Sequence, residues 1–387
     1  MYDAIIVGAR AAGSPTAMLL ARKGHRVLLV DRASFPSDTL STHYIHQPGI
    51  ARLRSWGLLE RLVETGCPPV TEMTFDVGPF ALRAAPPASD GILEGYCPRR
   101  TVLDALLLEA ASEAGAEIRT GVAVDELLFE DGVVVGIRAQ GSEERARVVI
   151  GADGRNSLVA RAVRAPEYET RTGRTCAYYS YWAGAQGQGA ELHPRAGRMI
   201  ISGPTNDGLQ IVVAFWPREE FKAVRHDIET SFLEAVALAP SLAERLAAGK
   251  RVDRFYGSAD LPFYYRKPYG PGWALVGDAG YHKDPITAQG ITDAFRDAEL
   301  LAAALATGFG GTRPLDVALA DYERARNEET RPMYELTYEL ASLAPPPPQQ
   351  QELLASLRDD PERTSRFLGT VAGTVPVAEF FGEPVPA

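Results

Sequence analysis

The chain has 387 residues, of which 45% are hydrophobic and 23% are charged, and its formal net charge is −10. This length and composition suit a globular protein of two or three domains that can bury its own core. The negative charge argues against a nucleic-acid partner, and no apolar run approaches the ~20 residues of a membrane span.

The first thirty residues predict a strand, a turn, a helix and a second strand. Residues 3–7 form an apolar run with no basic residues ahead of it, so they indicate a buried strand and not a secretory signal. After a glycine turn, an Ala- and Leu-rich stretch runs from 14 to 23, and Gly24 closes it as a C-cap would. Residues 26–30 form another buried strand. This order is the βαβ unit of a parallel sheet.

The rest of the chain alternates between helical and strand patterns. From about 170 to 267, alternating and aromatic-rich runs predict an antiparallel sheet. Four prolines at 345–348 must end the helix before them, and the tail at 352–387 is expected to hold one short helix and an apolar end. Helices are predicted at 48–64, 101–115, 228–248, 289–306 and 315–343. Further strands are predicted near 116–119, 133–138, 146–151 and 273–277.

The turn after the first strand has the features of a phosphate-binding loop. Its sequence is Gly8-Ala9-Arg10-Ala11-Ala12-Gly13, in which Gly8 can make a tight turn and Gly13 can let the helix approach the strand. The helix N-terminus then offers N–H groups to a pyrophosphate. Asp31 ends the second strand, where its carboxylate can accept hydrogen bonds from a ribose. Arg10 replaces the usual middle glycine, and its guanidinium could pair with phosphate or point to solvent.

Two more motifs follow in the chain. One is Asp153-Gly154-x-x-Ser157, and the other is Gly277-Asp278-Ala279-Gly280, followed by Pro285 and by Gln289-Gly290. With the first turn, they resemble the single-component FAD-dependent monooxygenases of the para-hydroxybenzoate hydroxylase type. Geranylgeranyl reductases and flavin-dependent halogenases share that scaffold. The resemblance covers about residues 3–330 and sharpens the dinucleotide to FAD.

The resemblance also implies a fold and a domain arrangement. We expect an α/β flavoprotein with a Rossmann-type FAD domain around a parallel sheet, a mostly antiparallel substrate-domain sheet and C-terminal helices. The expected FAD domain is discontinuous, and a helical cover follows it. The expected limits are 1–75, 98–170 and 268–330 for the FAD domain, 76–97 and 171–267 for the substrate domain, and 331–387 for the cover.

Several residues receive roles toward FAD from this resemblance. Asp278 would accept from the ribityl hydroxyls, and N–H groups around Gly290 would face the pyrimidine end of the flavin, where a helix dipole favours the charge of reduced flavin. Arg100 would lie near the pyrophosphate and Val124 near adenine. Asp153 would hold a loop that serves both FAD and NAD(P)H. The predicted cofactor-binding residues are Gly8, Arg10, Ala12, Gly13, Asp31, Arg32, Thr42, Arg100, Val124, Asp153, Gly277, Asp278, Gly290 and Ile291.

The substrate is expected to lie against the aromatic-rich sheet. Tyr179, Tyr181 and Phe215 are predicted to line an apolar site, although strand packing alone also enriches such residues. The candidate catalytic residues are His43, His46, His282 and Pro285. The first two lie in a region that runs close to the flavin in the related enzymes, where a histidine can act as acid, base or positioning group. A structural histidine is the alternative.

The surroundings of the protein are also predicted. The three cysteines, Cys67, Cys97 and Cys176, lack Cys-x-x-Cys spacing, and no third ligand accompanies the histidines, so neither a disulfide nor a metal site is expected. We expect a cytoplasmic monomer or homodimer. Its partners are a small molecule, O2 and transiently bound NAD(P)H, because no second Rossmann unit is apparent.

Three reactions fit the shared scaffold. The first is monooxygenation, in which NAD(P)H reduces FAD and a flavin hydroperoxide hydroxylates or epoxidises a hydrophobic, aromatic molecule. The resemblance implies a role in secondary-metabolite biosynthesis for this reaction. The second is reduction of an isoprenoid alkene, although the Cys-Gly segment of those reductases is replaced by Ser41-Thr42. Halogenation is disfavoured because Tyr181-Trp182-Ala183-Gly184 lacks a Trp-x-Trp-x-Ile-Pro signature. A scaffold protein without redox activity is the remaining alternative.

Overall fold

The computed structural model describes residues 1–187 and 189–382. The helices are α1 (Gly13–Arg22), α2 (Gln47–Ser55), α3 (Leu59–Glu64), α4 (Arg100–Glu113), α5 (Leu158–Ala162), α6 (Phe221–His226), α7 (Ile228–Val236), α8 (Pro240–Ala248), α9 (Gly290–Phe309), α10 (Leu315–Leu340), α11 (Pro348–Ser356), α12 (Pro361–Ala372) and α13 (Val377–Gly382). The strands are β1 (Tyr2–Val7), β2 (Val27–Asp31), β3 (Pro69–Val70), β4 (Met73–Asp76), β5 (Ala81–Ala84), β6 (Gly95–Tyr96), β7 (Glu117–Thr120), β8 (Val124–Glu130), β9 (Val133–Ala139), β10 (Ser142–Gly151), β11 (Glu167–Arg171), β12 (Thr175–Ala183), β13 (Ala190–Arg195), β14 (Arg198–Thr205), β15 (Leu209–Pro217), β16 (Lys250–Arg251), β17 (Tyr256–Ser258), β18 (Phe263–Arg266), β19 (Tyr269–Gly270), β20 (Trp273–Leu275) and β21 (Tyr281–His282).

One large sheet contains the predicted βαβ unit. Its strand order is β19-β20-β10-β1-β2-β7, and the neighbours from β20 to β7 are parallel. Helices α1, α4 and α9 pack on one face, while the hairpin of β8 and β9 covers the other face together with α5. Because both faces are covered, β1 and β2 are almost wholly buried and read as continuous apolar runs.

The other large sheet, the mixed sheet, has the strand order β16-β12-β15-β14-β13-β4-β5, with β17 also paired to β12. Its neighbours are antiparallel except β13 and β4, which are parallel. Side chains of β12 alternate between two cores: Tyr179 and Tyr181 face the core shared with the C-terminal helices, and Tyr178 and Trp182 face the core under α7 and α8. Both faces of β12 are therefore packed, which explains its aromatic run.

A three-stranded sheet, β11-β18-β21, links the two large sheets. Its last strand, β21, belongs to the segment Gly277–Gly290, which leaves the parallel sheet after β20 and ends where α9 begins. Short 3-10 turns at Gly277–Ala279 and Pro285–Thr287 shape this segment. It therefore passes along the boundary between the parallel sheet and the mixed sheet.

The expected α/β fold class, with parallel and largely antiparallel sheets and C-terminal helices, is confirmed. Two predicted helices are interrupted: 48–64 breaks at Gly57, which has φ 73°, and 228–248 breaks before Pro240. The prediction of one short helix in the tail is wrong, since α11, α12 and α13 occupy it. Helix α10 ends at Leu340, ahead of the proline run, and the last proline of the run, Pro348, begins α11, because proline is tolerated in a first helical turn.

Gly13 is expected to be essential for the packing of α1 on the parallel sheet. A β-carbon at Gly13 would lie 1.8 Å from the carbonyl oxygen of Gly8 and 3.1 Å from Cβ of Ala152. We expect Gly13→Ala to lower the free energy of unfolding by about 3 kcal/mol, because turn and helix must separate. The measurement is urea-induced unfolding of the purified protein.

The control for this change is Gly24→Ala. Gly24 has φ 82° and nothing within 4 Å of a β-carbon, so only the left-handed backbone opposes alanine there, at about 1 kcal/mol. Equal losses for the two variants would contradict the close-packing explanation.

Candidate functional site

The turn between β1 and α1 is built for close approach of backbone. Gly8 has φ 105°, and a β-carbon there would lie 2.4 Å from the carbonyl oxygen of Ala152 at the end of β10. Asp31, at the end of β2, accepts the Ala9 N–H at Oδ2 (2.7 Å) and the Ala33 N–H at Oδ1 (2.8 Å). Since a carboxylate offers about four acceptor positions, capacity remains for a ribose hydroxyl.

Arg10 neither points freely to solvent nor leaves its terminal nitrogens unused. It donates from Nη1 to Asp104 Oδ2 at 2.6 Å and from Nη2 to Ser37 Oγ at 3.0 Å. Asp104 is fully buried and also receives two hydrogen bonds from Nη2 of Arg100, at 2.8 and 3.0 Å. One buried carboxylate thus links the replaced glycine position to Arg100 at the start of α4. Pairing of either arginine with a phosphate stays a prediction.

The other predicted residues of the dinucleotide region lie at the ends of elements. Asp153 supports the start of α5, whose N-cap is Ser157, because its Oδ1 accepts from the Ser157 hydroxyl at 2.5 Å and its Oδ2 from the Leu158 N–H at 2.6 Å. Burial nevertheless raises the pKa of Asp153. Val124 is half-buried at the start of β8, and Arg32 is exposed. Their contacts with a cofactor stay predictions.

The segment Gly277–Gly290 and the start of α9 fit the flavin part of FAD. Asp278 exposes its side chain although Gly277 and Ala279 on either side are buried. Gly277 has φ 60°, and a β-carbon there would lie 2.8 Å from Cβ of Ala12, which brings this segment against α1. A β-carbon at Gly290 would meet nothing within 4 Å. An open space therefore lies at the N-terminus of a 20-residue helix, whose positive dipole end suits the flavin's pyrimidine carbonyls.

A buried ion pair anchors this segment to α9. The Lys283 ammonium donates to Asp293 Oδ2 and to the Tyr281 hydroxyl. Arg296 donates to Asp293 Oδ1 at 2.9 Å. Burial alone would raise the pKa of Asp293, but Lys283 and Arg296 hold it below its usual value. Asp293 is therefore a carboxylate that binds β21 and the first turn of α9 together.

An apolar cavity of about 40 Å³ lies between this segment and the mixed sheet. Its walls come from strands β4, β13, β14 and β15, from Cys97, from the segments 42–46 and 286–288, and from α12. The residues that line it are Thr42, Tyr44, His46, Met73, Cys97, Ala190, Leu192, Ile201, Ser202, Gly203, Ile211, Val213, Ile286, Thr287, Ala288 and Val371.

His46 lines this cavity and carries one unpaired acceptor. Its Nε2 lies 3.1 Å from the carbonyl oxygen of Thr287, which can only accept, so Nε2 carries the hydrogen. Burial lowers the pKa of His46 to about 4, so the ring is neutral at pH 7 and Nδ1 has a free lone pair. This Nδ1 atom is buried without a hydrogen-bond partner in residues 1–187 and 189–382. A buried acceptor of this kind is stabilised when a ligand donates to it.

The other candidate residues surround the cavity without lining it. His43 faces away, with Nε2 2.6 Å from the Tyr181 hydroxyl, and burial lowers its pKa to about 3. Tyr179, Tyr181 and Phe215 belong to the same apolar cluster as the cavity walls but pack outside them. His282 lies on β21, where its Nδ1 donates to the Pro262 carbonyl oxygen at 2.5 Å. Pro285 begins the turn whose later residues form a cavity wall.

Several site residues carried no recognisable signal in the sequence. Ile211 and Val213 precede Phe215 at intervals of two in β15, so alternation indicates their shared face but not where the cavity lies. Val371 comes from a tail that sequence patterns did not connect to the site. The Lys283–Asp293 pair joins residues ten apart, outside any helical spacing.

Two further negative observations concern the described residues. Across 1–187 and 189–382, no group of three or more His, Cys, Asp or Glu side chains is arranged to hold a metal ion. In the same ranges, none of the helices combines the length and the apolar content needed to cross a bilayer.

Comparison with known proteins connects this geometry to flavoenzymes. A protein family described as "FAD binding domain" matches residues 1–336. The protein FixC of Salmonella typhi is 38% identical over 174 residues, which are 41% of this chain and 38% of FixC. The chain thus matches well under half the length of that relative. Digeranylgeranylglycerophospholipid reductase 1 of Methanopyrus kandleri is 28% identical over 396 residues, covering 96% of this chain and 99% of the reductase.

Solved structures share the fold along the whole chain. The myxobacterial chondrochloren halogenase CndH superposes with a TM-score of 0.81 at 24% identity, covering 100% of this chain and 98% of that one. PqsL, described as a probable FAD-dependent monooxygenase from Pseudomonas aeruginosa, superposes with a TM-score of 0.75 at 22% identity, covering 99% and 100%. At these identities the likeness shows the fold alone.

Gly290→Ala is expected to weaken FAD binding without destabilising the apoprotein. The added methyl group would enter the open space at the start of α9 and contact no protein atom within 4 Å. We expect the dissociation constant for FAD to rise about tenfold, which corresponds to about 1.4 kcal/mol. Flavin fluorescence during titration of the apoprotein measures it. A lower unfolding temperature of the apoprotein together with unchanged FAD affinity would refute this assignment of the space.

Asp284 is expected to make stability depend on pH. It is fully buried, accepts from the Thr175 hydroxyl at 2.5 Å, and burial raises its pKa to about 6. The folded state thus holds this proton more tightly than the unfolded state does. The contribution of protonated Asp284 to the free energy of unfolding is fully present below the ordinary carboxyl pKa. It falls by up to about 3 kcal/mol as the pH rises through 6.

The matched variant Asp284→Asn stays neutral and should lack this fall. Unfolding free energies are to be compared from pH 4 to pH 8, with Asp316→Asn at an exposed position as the control. A wild-type protein that loses no stability relative to Asp284→Asn across this range would contradict the expectation.

Proposed function

The chain belongs to the FAD binding domain family, and from this premise we propose that it is a FAD-dependent monooxygenase. It uses NAD(P)H and O2 to hydroxylate or epoxidise a hydrophobic, aromatic small molecule. The observation that carries the proposal is the apolar cavity close to the α9 N-terminus, whose lining includes His46, a residue with one free acceptor. FAD, when bound, supplies the electron transfer and the activation of oxygen.

The protein's own residues would position the substrate and exclude water. The walls of the cavity offer apolar contacts from Leu192, Ile201 and Val213, which suit a hydrocarbon or an aromatic ring. His46 Nδ1 would accept a hydrogen bond from a hydroxyl or amine group and fix the orientation of the ring. Exclusion of water protects a reactive oxidant from side reactions, which is a requirement of oxygen insertion.

The second candidate function is reduction of an isoprenoid alkene. It is favoured by the similarity to the archaeal phospholipid reductase, which extends over nearly the full length of both chains. The cavity lining favours the first candidate, because apolar walls together with one free acceptor suit an aromatic ring that carries a hydroxyl or amine better than a hydrocarbon chain without a donor. Incubation with NAD(P)H under labelled oxygen separates the two. One labelled oxygen atom in the product supports the monooxygenase, whereas anaerobic loss of a double bond without oxygen uptake supports the reductase.

His46→Phe is expected to impair binding of ligands that carry a donor. The variant keeps an apolar ring in the cavity wall but removes the acceptor, so one hydrogen bond worth about 1 kcal/mol is lost. For 4-propylphenol we expect the dissociation constant, read from the flavin absorbance of the holoenzyme, to rise about fivefold. The methyl ether of the same phenol lacks the donor and should bind equally to both proteins.

His43→Phe is the matched control, because His43 is equally buried but faces Tyr181 instead of the cavity. It should leave the preference for phenol over ether unchanged. If His46→Phe weakens the ether as much as the phenol, His46 does not accept a hydrogen bond from the ligand.

A further inference from the structure

The cavity is too small, as it stands, for the substrate that its chemistry suits. Ligand pockets of proteins typically measure about 300–1,000 Å³, and this cavity measures about 40 Å³. A single water needs roughly 10–15 Å³ of such space, so the cavity holds only a few water-sized groups. One of its walls must therefore move before a molecule of aromatic size can enter.

Most walls are held by hydrogen bonds that resist displacement. The mixed sheet contributes strands that are tied by their ladders. Ile45, within the 42–46 segment, exchanges backbone hydrogen bonds with Tyr96 at 2.7 and 3.1 Å. The turn at 285–287 is fixed by Asp284, which accepts the Ile286 N–H, and by Thr287, whose hydroxyl lies 2.9 Å from that of Thr337. These walls are therefore expected to keep their positions when a ligand enters.

The wall formed by α12 is attached differently. Its cavity-lining residue, Val371, is bound through its carbonyl oxygen by the side-chain amide of Gln289 at 2.7 Å. Near the other end of the helix, the Ser365 hydroxyl donates to the Ala85 carbonyl oxygen at 2.6 Å. The face between them is apolar, as in the edge-to-face contact of Phe367 with Phe75. Apolar packing is non-directional and tolerates displacement better than a ladder does.

The ends of α12 are helix caps and are not paired with strands. The helix begins at Pro361 after Asp360, whose carboxylate accepts the Arg363 N–H at 3.0 Å, and it ends at Gly373, which has φ 74°. Glycine adopts such a backbone conformation without strain. The chain before and after α12 is thus made of capped helix ends and not of strands.

We infer that α12 is the movable wall of the substrate cavity and that Val371 sets the size of substrate that fits. Gln289 is the positioning residue that holds the wall closed. It is almost fully buried and directly precedes Gly290, so the closed wall is tied to the flavin end of α9. This inference rests on the proposed use of the cavity as the substrate site. It assigns the C-terminal helices a part in substrate selection.

The size of bound ligands tests the role of Val371. Holoenzyme is titrated with phenol and with 4-hexylphenol, and the dissociation constants are read from the flavin absorbance. Val371→Ala should lower the constant for 4-hexylphenol about tenfold and leave that for phenol unchanged, because about two buried CH2 groups gain room. Val375→Ala removes the same atoms from the same apolar cluster but outside the cavity. It should not alter the ratio of the dissociation constants for 4-hexylphenol and phenol. Equal ratios for the two variants would overturn the inference.

The rate of ligand entry tests the role of Gln289. Gln289→Met keeps the length of the side chain and removes the donor to Val371. Stopped-flow mixing of holoenzyme with 4-hexylphenol should show association at least about threefold faster than in the wild type, because loss of one hydrogen bond favours the open wall. An unchanged association rate would refute the role of Gln289 in holding the α12 wall closed.

These measurements need neither NAD(P)H nor O2. If the size preference shifts as expected but no labelled oxygen enters any product, the monooxygenase proposal is wrong and the role of α12 as a movable wall is supported. If labelled oxygen is incorporated but Val371→Ala behaves like Val375→Ala, the role of α12 is wrong and the monooxygenase proposal is supported.

Discussion

The buried ion pair between Lys283 and Asp293 is the interaction on which the functional region depends. A lysine ammonium removed from water is stable only beside a carboxylate with further hydrogen bonds, and Asp293 provides this with support from Arg296. The pair fixes β21 against the first turn of α9. Asp278 comes shortly before β21, and the cavity wall at 286–288 lies between β21 and the start of α9. The residues proposed for the cofactor and the apolar cavity therefore share one support.

The same support explains a local conformation that would otherwise be unfavourable. Ala288 has φ 52°, a left-handed conformation that costs a residue with a β-carbon about 1 kcal/mol or more. The residues on either side are held in place, Thr287 by His46 and Thr337, and Gln289 by Val371. Ala288 lines the cavity. Strain is thus located in a wall of the cavity, where surrounding contacts over-determine the backbone.

Sequence patterns predicted the parts of this protein that local chemistry determines. The βαβ unit, the glycine turn and Asp31 follow from periodicity and spacing, because a strand, a tight turn and a helix N-terminus each have their own residue requirements. Three motifs in order then indicated FAD. The interruptions at Gly57 and before Pro240 were missed because an apolar period continues through both, although Gly57 adopts φ 73°. The tail was predicted poorly, because its helices depend on packing against a distant sheet.

The candidate site shows a similar division. His46 was identified as a candidate, but its free Nδ1 depends on the Thr287 carbonyl, 241 positions away in the chain. Tyr179 and Tyr181 of β12 share a core with the cavity walls, yet the cavity lies over β13, β14 and β15. Val371 could not be foreseen, since nothing in the sequence of α12 indicates that it meets Gln289. Such features arise from tertiary contacts between segments with no shared pattern.

The neutrality of His46 depends on the burial of its ring in the wall of the cavity. Burial is the main cause of its low pKa, against which the hydrogen bond to the Thr287 carbonyl and the charge of Asp293 act in the opposite direction. If α12 moved away and water entered, Nδ1 would gain partners from solvent and the histidine would return toward its ordinary pKa. On the proposed role of α12, the wall would exclude the water that competes for this atom, and a donor group on the ligand would become its partner.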